Sequence, residues 1–215
     1  MTTTEIKKGK GIEDLFKGFI PVKPEELKEI EVAEGRFQGL MGEYERFLDM
    51  ECGDLDNRLN KITDILTPTD INLFLQTTIR HEQHKNYDWA TGHFISELIQ
   101  NSYDAGHNDF TLSTTALKRI HNLGSYLEGT KKRPLEITIK GNIGYSCGCS
   151  AKNAAFNIKG NARDSCGFCA ENSTFKTPNR RTLKKMLKEV SESNRIIFIH
   201  PDGTEEIVKD YADNI

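Results

Sequence analysis

The sequence contains no apolar run that approaches the roughly 18 to 20 residues a helix needs to cross a bilayer. Its opening residues, MTTTEIKKGKGIEDLF, also lack the apolar central stretch of a secretory signal peptide. A glycine-rich phosphate-binding loop ending in Lys-Ser or Lys-Thr is missing too, which argues against the nucleotide hydrolases that depend on one. We therefore expect a soluble, cytoplasmic protein that makes no contact with a membrane.

An excess of basic residues is also absent. Lysine and arginine total 29 against 32 aspartate and glutamate residues, which gives a formal net charge of −3. Proteins that bind nucleic acid without sequence preference normally carry strong positive charge on one face, so nucleic acid is not the expected partner. Two local basic clusters are present, Lys131–Arg133 and the group Arg180, Arg181, Lys184 and Lys185. We interpret both as solvated surface. The competing interpretation is RNA binding through the second cluster, which would weaken steeply as the salt concentration rises.

An internal repeat is the main positive feature of the chain. Two consecutive 19-residue segments, 137–155 and 156–174, align without a gap and match at nine positions. Each copy starts with a strand-like triplet and continues with Lys-Gly-Asn and then Ser-Cys-Gly. Because a unit this short cannot bury an apolar face alone, it is stabilised by stacking on its neighbour. The repeat therefore predicts a short stacked β-solenoid of 19-residue coils, with repeat-equivalent residues in register.

Asparagines and an upstream segment extend this prediction. Asn142 and Asn161, or Asn153 and Asn172, occupy equivalent positions and should stack as amide ladders. The upstream segment IHNLGSYLEG, residues 120–129, keeps Ile, Tyr and Gly at the same 19-residue offset from the first copy. It is therefore interpreted as a degenerate first coil.

The glycines of the first copy, Gly141, Gly144 and Gly148, have the spacing Gly-x-x-Gly-x-x-x-Gly. The second copy keeps Gly160 and Gly167 and has arginine at the middle position. This pattern resembles the glycine repeat of the right-handed β-helix at the C-terminus of glutamate synthase and in a subunit of formylmethanofuran dehydrogenase. In those enzymes the β-helix is mainly scaffold, so the resemblance implies a fold for the repeat segment and no activity.

The predicted fold class is α+β, with the helices and the strands in separate parts of the chain. Residues 1–18 are expected to be flexible and 19–108 to form a helical region, since apolar residues recur there at helical spacing. Residues 109–177 should form the β-solenoid section, and 178–215 a terminal helix and a β-hairpin.

Two local elements are predicted at the borders of these parts. A helix is expected over 114–123, directly after a strand-like DFTLST. The turn of the terminal hairpin is expected at Pro201–Gly203.

Four of the five cysteines lie in the repeat, as two close pairs. Cys147-x-Cys149 and Cys166-x-x-Cys169 are the arrangement that supplies four thiolates to a tetrahedral zinc ion. Stacking would place Cys147 and Cys166 about one strand spacing apart, roughly 4.8 Å. Packing thiols with no ligand are the competing interpretation, because cysteine is often buried, and a disulfide or redox role is the third.

Histidines form a second constellation, in RHEQHKNYDWATGHFISE. His81, Glu82 and His84 lie at the end of one predicted helix, and His93 and Glu97 lie one turn apart on the next, so a helical hairpin could bring them together. Metal-dependent hydrolysis would need three ligands, an open coordination position and a general base. The competing interpretation is a solvated polar helix end.

From these observations we expect a non-enzymatic interaction or scaffold protein that holds a structural zinc ion at Cys147, Cys149, Cys166 and Cys169. The alternative is a metal-dependent hydrolase that uses the His81, Glu82 and His84 region with His93 and Glu97. The sequence does not identify the protein partner or the oligomeric state.

Overall fold

The computed structural model describes residues 36–50 and 62–210 of the chain. The helices are α1 (Gln38–Leu48), α2 (Pro68–Thr77), a 3-10 helix (Thr78–His81), α3 (Tyr87–Asp104) and α4 (Arg180–Glu189). The strands are β1 (Asp109–Ser113), β2 (Leu135–Lys140), β3 (Ala154–Ile158), β4 (Thr174–Thr177), β5 (Arg195–Ile199) and β6 (Glu205–Lys209). The segment 1–18, predicted to be flexible, lies outside the described residues.

All six strands belong to one sheet whose spatial order is the chain order, β1 to β6. The first five strands pair in parallel, and β6 pairs antiparallel with β5. In the centre, Ile137 pairs with Phe156 and Phe156 pairs with Phe175. Each step is one 19-residue repeat, so the predicted register of the repeat-equivalent strand residues is confirmed.

The predicted α+β class is wrong, because this architecture is α/β with a mostly parallel sheet. The expected β-solenoid section does not stand as a separate part of the molecule: the repeats supply β2, β3 and β4 of the six-stranded sheet. β5 and β6 do form a hairpin at Pro201–Gly203, but β5 also pairs in parallel with β4. The prediction failed because β1 and β5 continue the sheet without carrying the repeat sequence.

One face of the sheet is buried in a core that the helices share. Phe110, Ile137, Phe156, Phe175 and Ile196 form a row across five strands, and each is at most 1% exposed. The rings of the two central phenylalanines stack with centroids 5.2 Å apart. This row and the buried faces of α1, α2 and α3 belong to one continuous apolar cluster, so the helical part and the sheet are stabilised together.

The β1 edge of the sheet is covered by α2. The Ser113 N–H donates to Asn72 Oδ1 at 2.8 Å, and Gln76 Nε2 donates to the Ser113 carbonyl oxygen at 2.8 Å. These bonds satisfy backbone groups that an open edge strand would leave unpaired. α2 begins with Pro68 after its N-cap Thr67, whose hydroxyl accepts the Asp70 N–H. Among the described residues, no helix has both the length and the apolar character of a membrane span.

The connections that follow successive strands also stack on one another. The Ser146 and Ser150 N–H groups donate to the carbonyls of Asp164 and Phe168, and the Gly167 N–H donates to the Cys147 carbonyl. Equivalent residues of the two copies share a left-handed backbone, with φ between 49° and 62° at Ser146 and Ser165, Ser150 and Cys169, and Asn153 and Asn172.

The upstream segment 120–129 stacks on the first copy, but in a different register from the one predicted. Gly148 donates to the Leu123 carbonyl and Tyr126 donates to the Cys149 carbonyl, so the offset is larger than one 19-residue repeat. The helix predicted over 114–123 is also wrong. Its backbone is used elsewhere, since the His121 N–H donates to the Asp88 carbonyl and the Ile120 carbonyl accepts the Gly144 N–H.

Candidate anion-binding groove

Two adjoining recesses beside α4 form a groove with mainly cationic walls. The first has a volume of about 270 Å³ and the second about 420 Å³, and Asp164, Arg181 and Lys185 line both. We call the two together the basic groove. Its charged walls comprise six cationic side chains and two carboxylates. They are Arg119, Arg163, Arg181, Lys184, Lys185, Lys188, Asp164 and Glu189.

Helix α4 is tied to the connection that follows β3. Its N-cap Asn179 accepts the N–H groups of Arg181 and Thr182 at 2.9 and 3.1 Å. The buried Thr182 hydroxyl accepts the Ala162 N–H at 2.9 Å and donates to the Gly160 carbonyl at 3.3 Å. These bonds fix the basic face of α4 next to the segment that carries the Arg163 side chain.

An asparagine ladder borders the first recess. Asn142 Oδ1 accepts both the backbone N–H and the side-chain Nδ2 of Asn161 at 3.0 Å. Asn161 Oδ1 in turn accepts from Asn179 Nδ2 at 3.1 Å. The predicted pairing of Asn142 with Asn161 is therefore confirmed, and it continues to the N-cap of α4. A side-chain ladder of this kind holds neighbouring segments at fixed spacing.

The positive charge of the groove is only partly neutralised. Lys185 Nζ lies 2.7 Å from Asp164 Oδ1. This hydrogen bond, with the charges of Arg163 and Lys188, holds the pKa of Asp164 below its usual range. Four of the other five wall cations, Arg119, Arg181, Lys184 and Lys188, are exposed and form no ion pair within residues 36–50 and 62–210.

The first turn of α4 adds to the positive charge. Arg180 and Arg181 open the helix, and that turn contains no acidic residue. Cations at this end oppose the helix dipole, whereas an anion there is stabilised by typically 0.3–1 kcal/mol. This arrangement is unfavourable for the free helix and becomes favourable when an anion occupies the groove.

Tyr145 is the aromatic residue of the groove, and 40% of it is exposed. The Arg163 guanidinium carbon lies 5.1 Å from the ring centroid, and Arg163 Nη1 donates to the phenol oxygen at 2.7 Å. The His121 ring packs against Tyr145 at a centroid distance of 5.0 Å. The ring is therefore held in place before any ligand binds.

His121 supports this tyrosine and has no free nitrogen. Its Nδ1 accepts the Tyr145 N–H at 2.9 Å, and its Nε2 lies 3.5 Å from Asp88 Oδ2. Burial lowers the pKa of His121, and the charges of Arg163 and Lys118 lower it further, against the opposing effect of Asp88. A neutral imidazole with both nitrogens engaged positions Tyr145 and is not available as a general base.

The four repeat cysteines do not converge on one point. Cys147 and Cys166, which we call the buried thiol pair, are fully buried and make a thiol–thiol hydrogen bond that, with burial, raises the pKa of Cys166. Cys149 is half-buried and Cys169 is exposed, and all four are free thiols. Burial first, and then proximity to Cys169, raise the pKa of Cys149. Over residues 36–50 and 62–210 no group of three or more metal-ligating side chains assembles, so the shared zinc site at these four cysteines stays a prediction.

The histidine constellation is likewise not assembled at one point, because His81 and His84 face carboxylates at α1, whereas His93 and Glu97 lie elsewhere. His81 Nε2 lies 3.5 Å from Glu45 Oε1, and His84 Nε2 lies 3.3 Å from Asp49 Oδ1. His93 is buried, with its ring 6.1 Å from that of Trp89. Glu82 accepts the Lys118 N–H, and Glu97 lines a different recess with Asn101 and Asp104.

Sequence reasoning found part of the basic groove and missed the rest. Arg181, Lys184 and Lys185 belong to a basic cluster visible in the sequence, but Arg119, Arg163 and Tyr145 come from distant segments. One signal was present: the arginine at position 163 replaces the glycine that the first copy has at Gly144. A large cation at a position that otherwise serves close packing marks a site with a different role.

Comparison with known proteins yields no relative, since no family model, curated protein or solved structure matches the chain. The resemblance of the glycine repeat to the β-helix of glutamate synthase thus stays a prediction from the sequence.

Proposed function

We propose that this protein is a non-catalytic binding protein whose basic groove holds a ligand with several phosphate groups. The observation that carries the proposal is the convergence of six cationic side chains, from the stacked connections and α4, on one groove. The whole chain has a net charge of −3, so this local concentration is not a by-product of composition. Such a field attracts and steers anions.

A ligand with several phosphate groups fits the number and the type of the groove cations. Three of the six cations are arginines, whose planar guanidinium matches the oxygens of phosphate in bidentate fashion. Arg119 and Arg181 have no carboxylate partner among the described residues, so their donors remain available to a ligand. Several phosphates on one ligand would account for cations along the full length of the groove.

Binding is favoured over catalysis by the state of the ionisable groups. Both nitrogens of His121 are engaged, and Asp164 is paired with Lys185. The hydrolase alternative gains no support, because His93 and Glu97 do not join His81 and His84 in one site. The scaffold class expected from the sequence is retained in a specific form, with the groove as the partner surface. Zinc binding by the cysteines stays a prediction. We also propose a cytoplasmic location, which the free thiols of the four described cysteines support.

A titration with inorganic polyphosphate at several salt concentrations tests this function. We expect binding that weakens steeply as salt rises, because bound phosphates release counterions. Replacing both Arg119 and Arg181 by alanine should weaken binding and lower the salt slope by about one per lost contact.

The matched control removes two exposed cations from the other basic cluster, through Lys131→Ala and Lys132→Ala. This double variant should bind like the wild type. Equal weakening by both double variants would mean that net charge alone drives binding, and no measurable binding by the wild type would reject the proposed function.

A further inference from the structure

We infer that the phosphate-bearing ligand is a single-stranded nucleic acid, and that the Tyr145–Arg163 unit stacks one of its bases. This inference rests on the proposed function, since it identifies the ligand of the same groove. It adds a recognition element that phosphate binding alone does not require.

The groove is elongated, which favours a chain of phosphates over a single phosphate group. The two recesses share Asp164, Arg181 and Lys185 and therefore run into each other. Along α4, Arg181, Lys185 and Lys188 are spaced by four and three residues, or roughly 6 and 4.5 Å of helix rise. Cations repeated at this spacing follow an extended backbone and exceed what one phosphate can contact.

The second observation is the aromatic residue among the cations. Tyr145 lines the first recess with Arg163 against its ring, and bases of single strands stack on aromatic rings and on guanidinium planes. A site for inorganic phosphate or a phosphorylated sugar has no need of such a surface. The juxtaposition of a stacking unit with a row of cations is the arrangement used by proteins that bind single strands without sequence preference.

The stacking unit is also ordered in advance. His121 holds the Tyr145 backbone through its Nδ1, and Arg163 holds the phenol oxygen at 2.7 Å. Little side-chain freedom would be lost when a base stacks there, which favours binding. The ladder of Asn142, Asn161 and Asn179 fixes the adjoining wall in the same way.

Fluorescence anisotropy with a labelled 15-nucleotide oligouridine tests the inference, with inorganic polyphosphate, a duplex of equal length and a polyglutamate peptide as the other ligands. Tyr145→Leu should weaken oligouridine binding by about 5- to 150-fold, the loss expected for one stacked base. Polyphosphate binding by the same variant should weaken much less, because the phosphates contact the groove cations and lose only the positioning of Arg163 by the phenol oxygen. Tyr145→Phe keeps the ring and loses only the hydrogen bond from Arg163, so it should retain most of the oligouridine binding.

The matched control is Tyr126→Leu, which alters a tyrosine that is 68% exposed and does not line the groove. It should change neither affinity, and circular dichroism would show that each variant is folded. Stacking is overturned if Tyr145→Leu leaves oligouridine binding intact or weakens both ligands equally. Tighter binding of the duplex or of polyglutamate overturns the choice of a single strand. In these cases polyphosphate binding still supports the proposed function, which fails only if polyphosphate does not bind.

Discussion

Replacing the buried Thr182 by valine should loosen the helix that carries four of the six groove cations. The Thr182 hydroxyl accepts the Ala162 N–H at 2.9 Å and donates to the Gly160 carbonyl at 3.3 Å. Valine keeps nearly the same shape but makes neither bond. The Ala162 N–H would then be buried without a partner, because position 182 is fully enclosed.

The size of this effect follows from the cost of an unpaired buried donor. Leaving such a group unsatisfied costs about 1–3 kcal/mol, so we expect the free energy of unfolding to fall by about 2 kcal/mol. With a urea dependence of about 2 kcal/mol per molar, the unfolding midpoint would fall by about 1 M. Thr182→Ser keeps the hydroxyl and loses one methyl group, which should cost only about 0.8 kcal/mol.

Urea unfolding followed by circular dichroism measures the stability, and polyphosphate titration measures the groove. We expect Thr182→Val to lower both the midpoint and the affinity, because the cations of α4 lose their fixed position beside Arg163. A midpoint equal to that of the wild type would refute the role of this hydroxyl. Greater damage from serine than from valine would show that the methyl group, and not the hydrogen bonding, holds α4.

Three further results are expected. In a Cys52→Ser background, Ellman's reagent should react with Cys149 and Cys169 in the native protein. The buried thiol pair should react only after denaturation. Zinc-dependent protection of all four thiols would support the predicted metal site instead. Burial, and then the charge of Asp104, raise the pKa of Glu97 above 4.5. The folded state therefore holds the Glu97 proton more tightly than the unfolded state does. The protein loses stability as the pH rises from 4.5 through the higher pKa of the folded state. Glu97→Gln should thus raise the thermal midpoint near pH 7 and not near pH 4, and an equal shift at both would contradict this account. Phe175→Ala should lower the free energy of unfolding by about 3–5 kcal/mol in a urea titration, and a loss below about 1 kcal/mol would mean that the stacked ring does not anchor the sheet.

The sequence was informative where the repeat is regular and much less so outside it. The pairing of Ile137 with Phe156 follows directly from two aligned copies, and so does the contact of Asn142 with Asn161. The α/β class could not be predicted in the same way, because β1 and β5 join the sheet without the repeat pattern. Tertiary contacts also decide the conformation of 114–123, whose backbone bonds to α3 and to the next connection.

The candidate sites show a similar division. Cysteine spacing predicts a shared metal ion only if all four side chains point to one place. Cys169 has a left-handed backbone, and the equivalent residue of the first copy is Ser150, which has the same backbone conformation. Cys149 and Cys169 therefore occupy different positions of the repeat, and neither joins the buried thiol pair. The basic groove depends on long-range assembly of Arg119, Arg163 and α4, which no local pattern encodes.

Where the two copies differ is nevertheless instructive. The first copy has Ile-Gly-Tyr at 143–145 and the second has Ala-Arg-Asp at 162–164, between shared Lys-Gly-Asn and Ser-Cys-Gly. Gly144 is required in its layer, because a side chain there would come within 2.1 Å of His121 Nδ1. In the second copy the equivalent residue is Arg163, whose guanidinium carbon lies 5.1 Å from the centroid of the Tyr145 ring. The shared residues thus maintain the stacking, and four of the six divergent residues, Tyr145, Ala162, Arg163 and Asp164, line the groove.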